Sequence, residues 1–473
     1  MIFVIITVAF LIRLISINQS LWLDEAIIVE HLKNISFFDA ISKYAIADFH
    51  PPGYVILIWS WIRLFGSSEI SVRIPSVIFG IGTIICVYLI GYKLVSTWFG
   101  VLSSLFLAVN PLHVYYSQEA RMYSFAAFDT SLNMLFFIKL LNKEKYSFLG
   151  FILSGILLLS SDYLAIFIIF TQLAFLVLTK RYSFVKKWLL GFLISSAFLI
   201  WWVPLLIKQF QLGLTTAERV PGWKEVVGGF GLKPAILTYT KFIIGRVSID
   251  NNLIYALVLL PTCSIFLFLL IKSFYTTSKE KYILLSWLFV PTLITWLISA
   301  FLPIFSYFRM LFVLPAFLML IALGAVTLKK ASRKIFIFLV LLIQITCTFI
   351  YLLSPNFHRE DWKGLITFIE QQPNTKLVLL ENTSPVSPIN YYAENRQVYK
   401  GALKTFPAYN SNDIVDLEKE LQNVEKTYLV DYLVEISDPN RQVAKKLESL
   451  GFVNTNTYNF NGVGFVYEYA KNN

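Results

Sequence analysis

Four polar segments of this sequence carry side chains of the kinds that enzymes use for chemistry. They combine carboxylates, histidines, tyrosines and arginines, and they lie at 22–25, 48–53, 110–123 and 307–309. A positioned carboxylate can take a proton from a reacting hydroxyl, and a guanidinium can bind phosphate oxygens through two parallel hydrogen bonds. Each segment alone also has an ordinary explanation, as a solvated loop, a turn, a snorkelling arginine or a belt of interfacial tyrosines.

The sequence lacks the motifs of several large enzyme classes. It has no P-loop, no G-x-G-x-x-G, no H-E-x-x-H and no C-x-x-C motif. Nothing therefore predicts the use of ATP or a nicotinamide cofactor. The cysteines Cys86, Cys263 and Cys347 each lie in an apolar block without metal-binding spacing, which is typical of small packing residues.

Composition predicts an integral membrane protein. Of the 473 residues, 57% are hydrophobic and 15% are charged, whereas soluble domains carry about 25% charged residues. Many of the charges behind the net +11 lie in short loops between apolar blocks, which argues against a nucleic-acid partner. The blocks predict about eleven spans of bilayer length, at approximately 1–18, 69–92, 97–115, 122–141, 147–161, 163–179, 188–207, 253–272, 282–301, 304–328 and 335–353.

Basic loops predict the orientation of these spans. With the N-terminus in the cytoplasm, all of the basic clusters lie on the cytoplasmic side: Lys143/Lys145, Lys180/Arg181/Lys186/Lys187, Lys272/Lys279/Lys281 and Lys329/Lys330/Arg333/Lys334. The loops 19–68 and 208–252 and everything after about residue 354 then face outward. This topology places all four polar segments on the same, extracytoplasmic side of the membrane.

The outward loop 19–68 is predicted to contain a helix lying in the membrane interface. Ile28, Leu32, Ile35 and Phe38 recur at helical spacing with polar residues between them, which is the pattern of an interfacial amphipathic helix. The apolar stretch 53–65 is too short to span and is predicted to be re-entrant or interfacial.

Composition changes near residue 355, so we divide the chain into a transmembrane domain over 1–354 and a soluble domain over 355–473. Alternating patterns predict strands at 376–381, 397–401, 426–433 and 463–469, and helices at 412–423 and 440–450. This alternation is typical of a small extracytoplasmic α/β domain.

The four polar segments, in their order and spacing, resemble the dolichyl-phosphate-mannose-protein mannosyltransferase family in its broad bacterial and archaeal form, which includes the aminoarabinose transferases. The resemblance rests on Asp24-Glu25, Asp48-x-His50-Pro51-Pro52, Arg73-Ile74-Pro75-Ser76, the segment from Asn110-Pro111 to Tyr116-Ser117-Gln118-x-Ala120-Arg121-Met122-Tyr123, and Arg309 followed by Pro315. It covers residues 1–140 well, weakens over 141–300 and returns near Arg309. It implies a GT-C type membrane glycosyltransferase of the prokaryotic plasma membrane.

The resemblance also implies a chemistry and a set of site residues. The donor would be a sugar on a polyprenyl phosphate, and the acceptor a lipid, a glycan or a protein. Asp24 would be the general base of an inverting transfer, with Glu25 as its helper. Arg309 and Arg121 would bind the leaving lipid phosphate. The other predicted substrate-binding residues are Asp48, His50, Tyr116, Gln118, Glu119 and Tyr123.

Metal use stays open at this point. Asp48, His50 and Glu119 are the candidate ligands for a divalent cation, and His50 could instead donate to the donor phosphate. The aminoarabinose transferases carry a lysine around the position of His50, so the sequence gives no reason to assign that sugar here.

Two other functions compete with the glycosyltransferase. A transporter or flippase for a lipid-linked saccharide would place polar residues at the bilayer midplane, often with inverted repeats. Asp129 and Asp162 are the nearest approaches to that pattern. A non-catalytic subunit of a glycan assembly complex is the third candidate, and an intact Asp24 beside the other segments argues against it.

Overall fold

The computed structural model describes residues 1–219, 228–276, 281–373 and 375–472, so Lys279 of the predicted cytoplasmic clusters lies outside the described residues. The described chain forms two compact units. The first contains 1–17, 36–213 and 228–357, and the second contains 18–35, 214–219 and 358–472. The residues 18–35 therefore fold with the C-terminal part of the chain, although the sequence assigned them to the transmembrane domain.

The first unit is helical and carries the membrane spans. Among the described residues, five helices are long and apolar enough to cross a bilayer: Glu69–Leu94, Tyr123–Leu141, Asn252–Phe274, Lys281–Ile298 and Lys330–Leu353. Two bent pairs also meet this test when joined, Thr97–Ala108 with Pro111–Ser117 and Tyr182–Phe198 with Ile200–Thr215. Shorter apolar helices occupy Ile2–Leu14, Pro52–Phe65, Ser147–Ser161, Leu164–Leu178 and Leu311–Val326. The count of about eleven spans stays a prediction.

The remaining helices of this unit are shorter or less apolar. They lie at Phe37–Asp39, Ala40–Tyr44, Ala45–Asp48 and Leu232–Ile244, and the helix Val203–Arg219 extends the second bent pair. The helix Asn252–Phe274 shows why the unit belongs in lipid, because only 17% of its most apolar window is buried inside the protein. An apolar helix surface of that length is stable against hydrocarbon and not against water.

The bend between Thr97–Ala108 and Pro111–Ser117 follows from its sequence. Asn110 caps the second helix, because its Oδ1 accepts the His113 N–H at 3.0 Å. Pro111 occupies the first turn, where a missing N–H costs nothing. The Asn110 amide also donates to the Phe242 carbonyl at 2.8 Å. The chain therefore turns by 65° and leads directly into the polar segment 110–123.

The second unit contains a five-stranded mixed sheet, which confirms the predicted α/β class. The strands are β1 (Val378–Leu380), β2 (Tyr399–Gly401), β3 (Lys426–Val430), β4 (Phe452–Phe460) and β5 (Gly464–Lys471). Their order is β2-β1-β3-β5-β4, with β1 parallel to both β2 and β3, and β5 antiparallel to β3 and β4. The helices include Trp362–Glu370, Ser387–Tyr392, Leu417–Glu420, Val434–Ser437 and Gln442–Ser449.

Buried side chains cover both faces of this sheet. Val378 and Leu380 of β1 belong to one core cluster, and Leu379 belongs to the other. Alternate residues of a strand point to opposite faces, so a short buried strand contributes to both. The sequence missed β4, because most of its side chains are exposed and polar. The helix predicted at 412–423 is reduced to a 3₁₀ turn, Ser411–Asp413, and the four-residue helix Leu417–Glu420.

The helix predicted for the membrane interface is present as Leu23–Lys33, and it belongs to the second unit. Its Ile28 and Leu32 are fully buried, and the helix packs against Ser387–Tyr392. The prediction that these two side chains face lipid is therefore wrong. Amphipathic spacing identifies a helix with one buried face, but it does not distinguish a protein core from a membrane surface. Phe38 lies on a separate short helix and is 76% exposed.

Candidate active site

Asp24 and Glu25 occupy the first turn of the helix Leu23–Lys33 in the second unit. The N-cap residue, Trp22, supplies no side-chain cap. A distant carboxylate takes that place: Glu360 Oε2 accepts the Leu23 N–H at 2.9 Å. The first N–H groups of a helix need such acceptors, because they have no partner within the helix.

Glu360 is itself held by two aromatic side chains. Its Oε2 accepts Trp362 Nε1–H at 2.8 Å, and its Oε1 accepts the Tyr432 hydroxyl at 3.0 Å. Burial is the main reason that the pKa of Glu360 is raised to about 7; the charge of Asp24 contributes to this rise, and the hydrogen bonds oppose it. The carboxyl groups of Asp24 and Glu360 are therefore electrostatic neighbours, and sequence reasoning missed Glu360.

The two acidic residues predicted as catalytic differ in their surroundings. Glu25 is fully buried, and its Oε2 lies 3.9 Å from Nε of Arg359, which is also buried. Asp24 is only partly buried. A solvent-accessible carboxylate can reach a substrate, whereas a buried ion pair orients its surroundings. Of the two carboxylates, Asp24 is thus the one that is accessible from outside the protein, and the catalytic roles of both stay predictions.

The first unit joins three of the predicted substrate-binding residues directly. Arg121 Nη1 donates to Asp48 Oδ1 at 2.9 Å, and His50 Nδ1 donates to Asp48 Oδ2 at 3.0 Å and to the Asp48 carbonyl at 2.6 Å. Phe49 ends the helix Ala45–Asp48 in the left-handed conformation, at φ 59°, which turns His50 back onto Asp48. Both partners of Nδ1 are acceptors, so this nitrogen carries the proton.

Electrostatics holds this cluster in its charged form. Burial opposes ionisation of Asp48, but the charge of Arg121, followed by His50 and its hydrogen bonds, keeps the Asp48 pKa well below its usual value. The Arg121 side chain is 6% exposed and that of Asp48 is 11% exposed. Asp48 therefore fixes the guanidinium of Arg121 in a nearly dry environment.

A second layer of polar side chains fixes the loop that carries His50. Gln209 donates to the carbonyls of Ala45 at 2.6 Å and His50 at 2.9 Å. Tyr163 donates to Gln209 and accepts from Trp202 Nε1 at 2.9 Å. These residues come from apolar blocks, where single polar residues gave no signal of their position.

Gln118 binds protein groups with both ends of its amide. Its Nε2 donates to the carbonyls of Arg13 at 2.9 Å and Ile15 at 2.6 Å, and its Oε1 accepts the Tyr351 hydroxyl at 2.8 Å. Gln118 thus ties the segment 110–123 to the end of the helix Ile2–Leu14 and to the helix Lys330–Leu353. This arrangement suits a positioning role better than the predicted substrate contact.

An aromatic series connects the segment 110–123 with 307–309. The rings of Tyr116 and Tyr123 lie 5.2 Å apart, and those of Tyr123 and Phe308 lie 5.5 Å apart. Arg309 follows Phe308 and is half-buried. Within the described part of the chain, its guanidinium has no hydrogen-bond or ion-pair partner. A half-buried cation without a protein anion is a candidate ligand for an anionic group.

Arg246 joins this cluster, and the sequence analysis did not single it out. Its Nη1 donates to the Tyr115 hydroxyl at 2.5 Å, and its guanidinium lies 4.9 Å from the centre of that ring. It also interacts electrostatically with Tyr307, Tyr116 and Glu119. A Cβ on the preceding Gly245 would lie 2.8 Å from Pro111 Cβ, so glycine permits this close approach. Its position in the outward loop 208–252, which contains several other basic residues, gave no distinct signal.

The proposed metal ligands do not form a ligand set. Asp48 and His50 are in contact, but among the described residues no group of three or more His, Cys, Asp or Glu side chains has the geometry to hold a metal ion. Asp48 instead binds Arg121. The use of a divalent cation by Asp48, His50 and Glu119 therefore stays a prediction.

Comparison with known proteins shows what the chain is similar to. Residues 49–207 match the family model described as dolichyl-phosphate-mannose-protein mannosyltransferase. ArnT from Cupriavidus metallidurans in the apo state is similar over 98% of this chain and 97% of its own, with a TM-score of 0.58 and 10% identity. The family model covers less than half of the chain, and the structural similarity shows that the chain has the GT-C fold. This confirms the resemblance and the helical GT-C fold class predicted from the sequence.

Other GT-C structures show the same fold. The Archaeoglobus fulgidus oligosaccharyltransferase in complex with Zn and sulfate matches over 99% of this chain and 73% of its own, with a TM-score of 0.53 and 14% identity. The mycobacterial arabinofuranosyltransferase AftD matches over all of this chain but 40% of its own, with a TM-score of 0.53 and 11% identity. No curated protein matches this GT-C chain in sequence.

Proposed function

We propose that this GT-C protein transfers a sugar from a polyprenyl phosphate to a hydroxyl of a lipid, glycan or protein, with inversion at the anomeric carbon. The observation that carries the proposal is the placement of Asp24, a partly exposed carboxylate in a helix turn fixed by Glu360. The similar ArnT structure bound to undecaprenyl phosphate, with a TM-score of 0.55 and 11% identity, supports a lipid-phosphate donor.

In the proposed reaction, Asp24 takes the proton of the acceptor hydroxyl as that oxygen attacks the anomeric carbon. The bond between the anomeric carbon and the phosphate oxygen breaks, and polyprenyl phosphate leaves with the electron pair. A single displacement inverts the anomeric configuration. The leaving phosphate is already an anion, so it needs cations rather than an acid.

Arg309 is the strongest candidate for binding this phosphate, because no carboxylate of the described residues pairs with it. Arg121 is a second candidate, and its ion pair with Asp48 fixes the orientation of its guanidinium. Arg246 is a third candidate, since its interaction with Tyr115 leaves guanidinium donors for a ligand. His50 keeps Nδ1 on Asp48, so only Nε2 is left for a substrate contact.

The test uses purified protein in detergent, where transport has no meaning. Labelled polyprenyl-phosphate sugars are incubated with candidate acceptors, and the release of polyprenyl phosphate is measured with EDTA and with added Mg²⁺ or Mn²⁺. We expect Asp24→Asn to lower turnover by about 10²–10⁴ with little change in donor affinity. Glu30→Gln, on the same helix, is the matched control.

Two results would overturn the proposal. Equal turnover in wild type and Asp24→Asn would remove Asp24 as the base. Movement of intact lipid-linked saccharide across liposomes, with no free polyprenyl phosphate formed, would favour the transporter instead.

We also propose the orientation predicted from the basic loops, with the N-terminus in the cytoplasm and the second unit outside the plasma membrane. An alkaline phosphatase fused after residue 473 should then be active, and a green fluorescent protein at that position should be dark. The reverse pattern would place the proposed chemistry in the cytoplasm.

A further inference from the structure

The second unit contains a cavity at the carboxyl ends of its parallel strands. In the strand order β2-β1-β3, the chain continues from the central strand β1 to β2 on one side of it. The chain then returns to form β3 on the other side of β1. Open sheets bind ligands where neighbouring connections leave in opposite directions, outside the carboxyl ends of such strands. The segments that follow β1 and β3 both line the cavity.

The cavity has a volume of about 320 Å³, which is within the usual range for small-molecule sites. Three groups of residues line it: Leu23, Ile27 and His31 of one helix; Glu381, Asn382, Ser384, Pro385, Val386 and Ser387 after β1; and Phe406, Tyr432, Leu433 and Ser437. About half of these residues are apolar or aromatic, and the others supply an imidazole, an amide, several hydroxyls and one carboxyl group.

The charges around this cavity favour a neutral ligand. None of the lining residues within the described chain is a lysine or an arginine. Burial, followed by the neighbouring charge of Asp431, raises the pKa of Glu381 to about 9, so this carboxyl carries a proton at neutral pH. Asp431 is paired with Arg441, whose Nη1 lies 2.5 Å from Asp431 Oδ1. An anionic ligand would find no lysine or arginine among the described residues of this lining.

Two residues connect the cavity with the proposed base. Leu23 lines the cavity, and its N–H binds the Glu360 carboxylate. Tyr432 also lines the cavity, and its hydroxyl binds the other oxygen of Glu360. The helix turn that carries Asp24 is therefore built from the same residues that form one wall of the cavity.

We infer that this cavity binds a neutral sugar ring of the acceptor, which on the proposed function would identify the acceptor as a glycan or glycolipid. The rings of Phe406 and Tyr432 can pack on the apolar face of a pyranose, and the amide and hydroxyls can bind its hydroxyl groups. The lipid-phosphate donor is a poor occupant, because its charge requires the arginines that this cavity lacks.

The test measures binding without any donor, on the full chain in a detergent that has no sugar headgroup. Saturation-transfer NMR is recorded with methyl α-D-mannopyranoside, methyl β-D-glucopyranoside and methyl β-D-galactopyranoside. We expect transfer to at least one of them, and we expect Ser384→Trp to reduce it by at least about tenfold by filling the cavity. Ser384 is exposed, so the indole can be accommodated without refolding.

Ser449→Trp, an exposed position of the same unit outside the cavity lining, is the matched control and should bind like wild type. Absence of transfer to all three glycosides in wild type, or an unchanged signal in Ser384→Trp, would overturn the inference. Asp24→Asn separates it from the proposed function: that variant should keep glycoside binding while losing turnover. If Ser384→Trp lost glycoside binding while Asp24→Asn kept full turnover, the cavity would still be the sugar site, but Asp24 would not be the base.

Discussion

The carboxylate of Glu360 caps the helix that begins at Leu23, through a hydrogen bond of 2.9 Å between residues 337 positions apart. Helices usually obtain this acceptor from the residue just before their first turn. Here the first turn contains Asp24 and Glu25, so the orientation of the proposed base depends on a side chain of the C-terminal region.

Replacing Glu360 should reduce turnover by disturbing Asp24 rather than by removing a reacting group. Glu360→Ala loses the cap, worth about 1 kcal/mol, and leaves Trp362 Nε1 and the Tyr432 hydroxyl without their acceptor. We expect turnover to fall by about tenfold or more. Hydrogen exchange of the Leu23–Lys33 backbone should increase in parallel, which reports the loss of the capped turn.

Glu360→Gln is the conservative comparison. Its amide oxygen can still accept from Leu23 and Trp362, and its NH₂ can donate to the Tyr432 hydroxyl. We expect it to keep most of the activity and protection. Glu370→Gln is the control, because Glu370 also accepts a backbone N–H, from Glu394 at 2.8 Å, but lies away from this helix. If Glu360→Ala had wild-type turnover and exchange, the cap would have no role in positioning Asp24.

The raised pKa of Glu360 predicts a pH dependence of stability. Between its ordinary value of 4.5 and the folded value of about 7, the folded chain keeps a proton that the unfolded chain has lost. The free energy of unfolding is therefore highest below pH 4.5 and decreases as the pH rises through about 7, by about 3 kcal/mol at most. Glu360→Gln cannot ionise and should not show this decrease.

Thermal unfolding of wild type and Glu360→Gln at pH 5 and pH 8 measures this effect. Between pH 5 and pH 8, the thermal midpoint of Glu360→Gln should rise relative to that of wild type. Comparing the two proteins cancels other titrating groups, among them Glu381 with its pKa of about 9. An identical pH response in both proteins would show that Glu360 ionises without cost.

Sequence patterns predicted the parts of this protein that depend on local composition. Apolar blocks and basic loops indicated a polytopic membrane protein, and alternating segments indicated the α/β sheet. Asp48 and His50 belong to one polar segment of the sequence. The left-handed backbone of Phe49, which lies between them, is enough to bring their side chains together.

The rest of the site depends on contacts between distant segments, which no local pattern encodes. No sequence pattern singled out Glu360 and Arg359, and only the fold shows that they approach the helix turn of Asp24 and Glu25. Arg246 was one of several basic residues in a long loop. The helix Leu23–Lys33 was placed on the membrane, because burial against protein and burial against lipid have the same periodicity.

The Glu25–Arg359 pair should matter for stability more than for chemistry. Both side chains are buried, and removing one partner leaves an uncompensated charge at a cost of about 3–5 kcal/mol. We expect Glu25→Ala to lower the thermal midpoint of the protein strongly, with a smaller loss in Glu25→Gln. The double variant Glu25→Gln/Arg359→Gln should recover part of the loss. An unperturbed midpoint in Glu25→Ala, together with lost turnover, would instead make Glu25 a reacting group.

The Asp48–Arg121 pair should couple stability to donor binding. Asp48→Ala leaves the Arg121 guanidinium buried without its carboxylate, so the thermal midpoint should fall, and the freed arginine should lose its fixed orientation. We expect donor affinity to fall as well, measured by binding of a fluorescent polyprenyl phosphate. Asp39→Ala is the control, because Asp39 forms a largely exposed pair with Lys43, and such pairs contribute little. Unchanged stability and affinity in Asp48→Ala would make the pair incidental.

Arg309 provides the most direct test of the phosphate site. If it binds the lipid phosphate, Arg309→Ala leaves a partly desolvated anion without a partner, which costs about 2–5 kcal/mol of donor binding. Arg309→Lys keeps the charge but loses the planar pair of donors, so its loss should be smaller. Arg63→Ala, which removes an exposed cation of the same unit, controls for the general loss of positive charge.

The affinity of each variant for polyprenyl phosphate is measured at two salt concentrations, because a bound phosphate that is partly buried should be less screened than a surface charge. We expect the order wild type, Arg309→Lys, Arg309→Ala, with Arg63→Ala equal to wild type. If all four proteins bound the lipid equally, Arg309 would only anchor its helix end at the headgroups, and Arg246 and Arg121 would be left as the phosphate ligands.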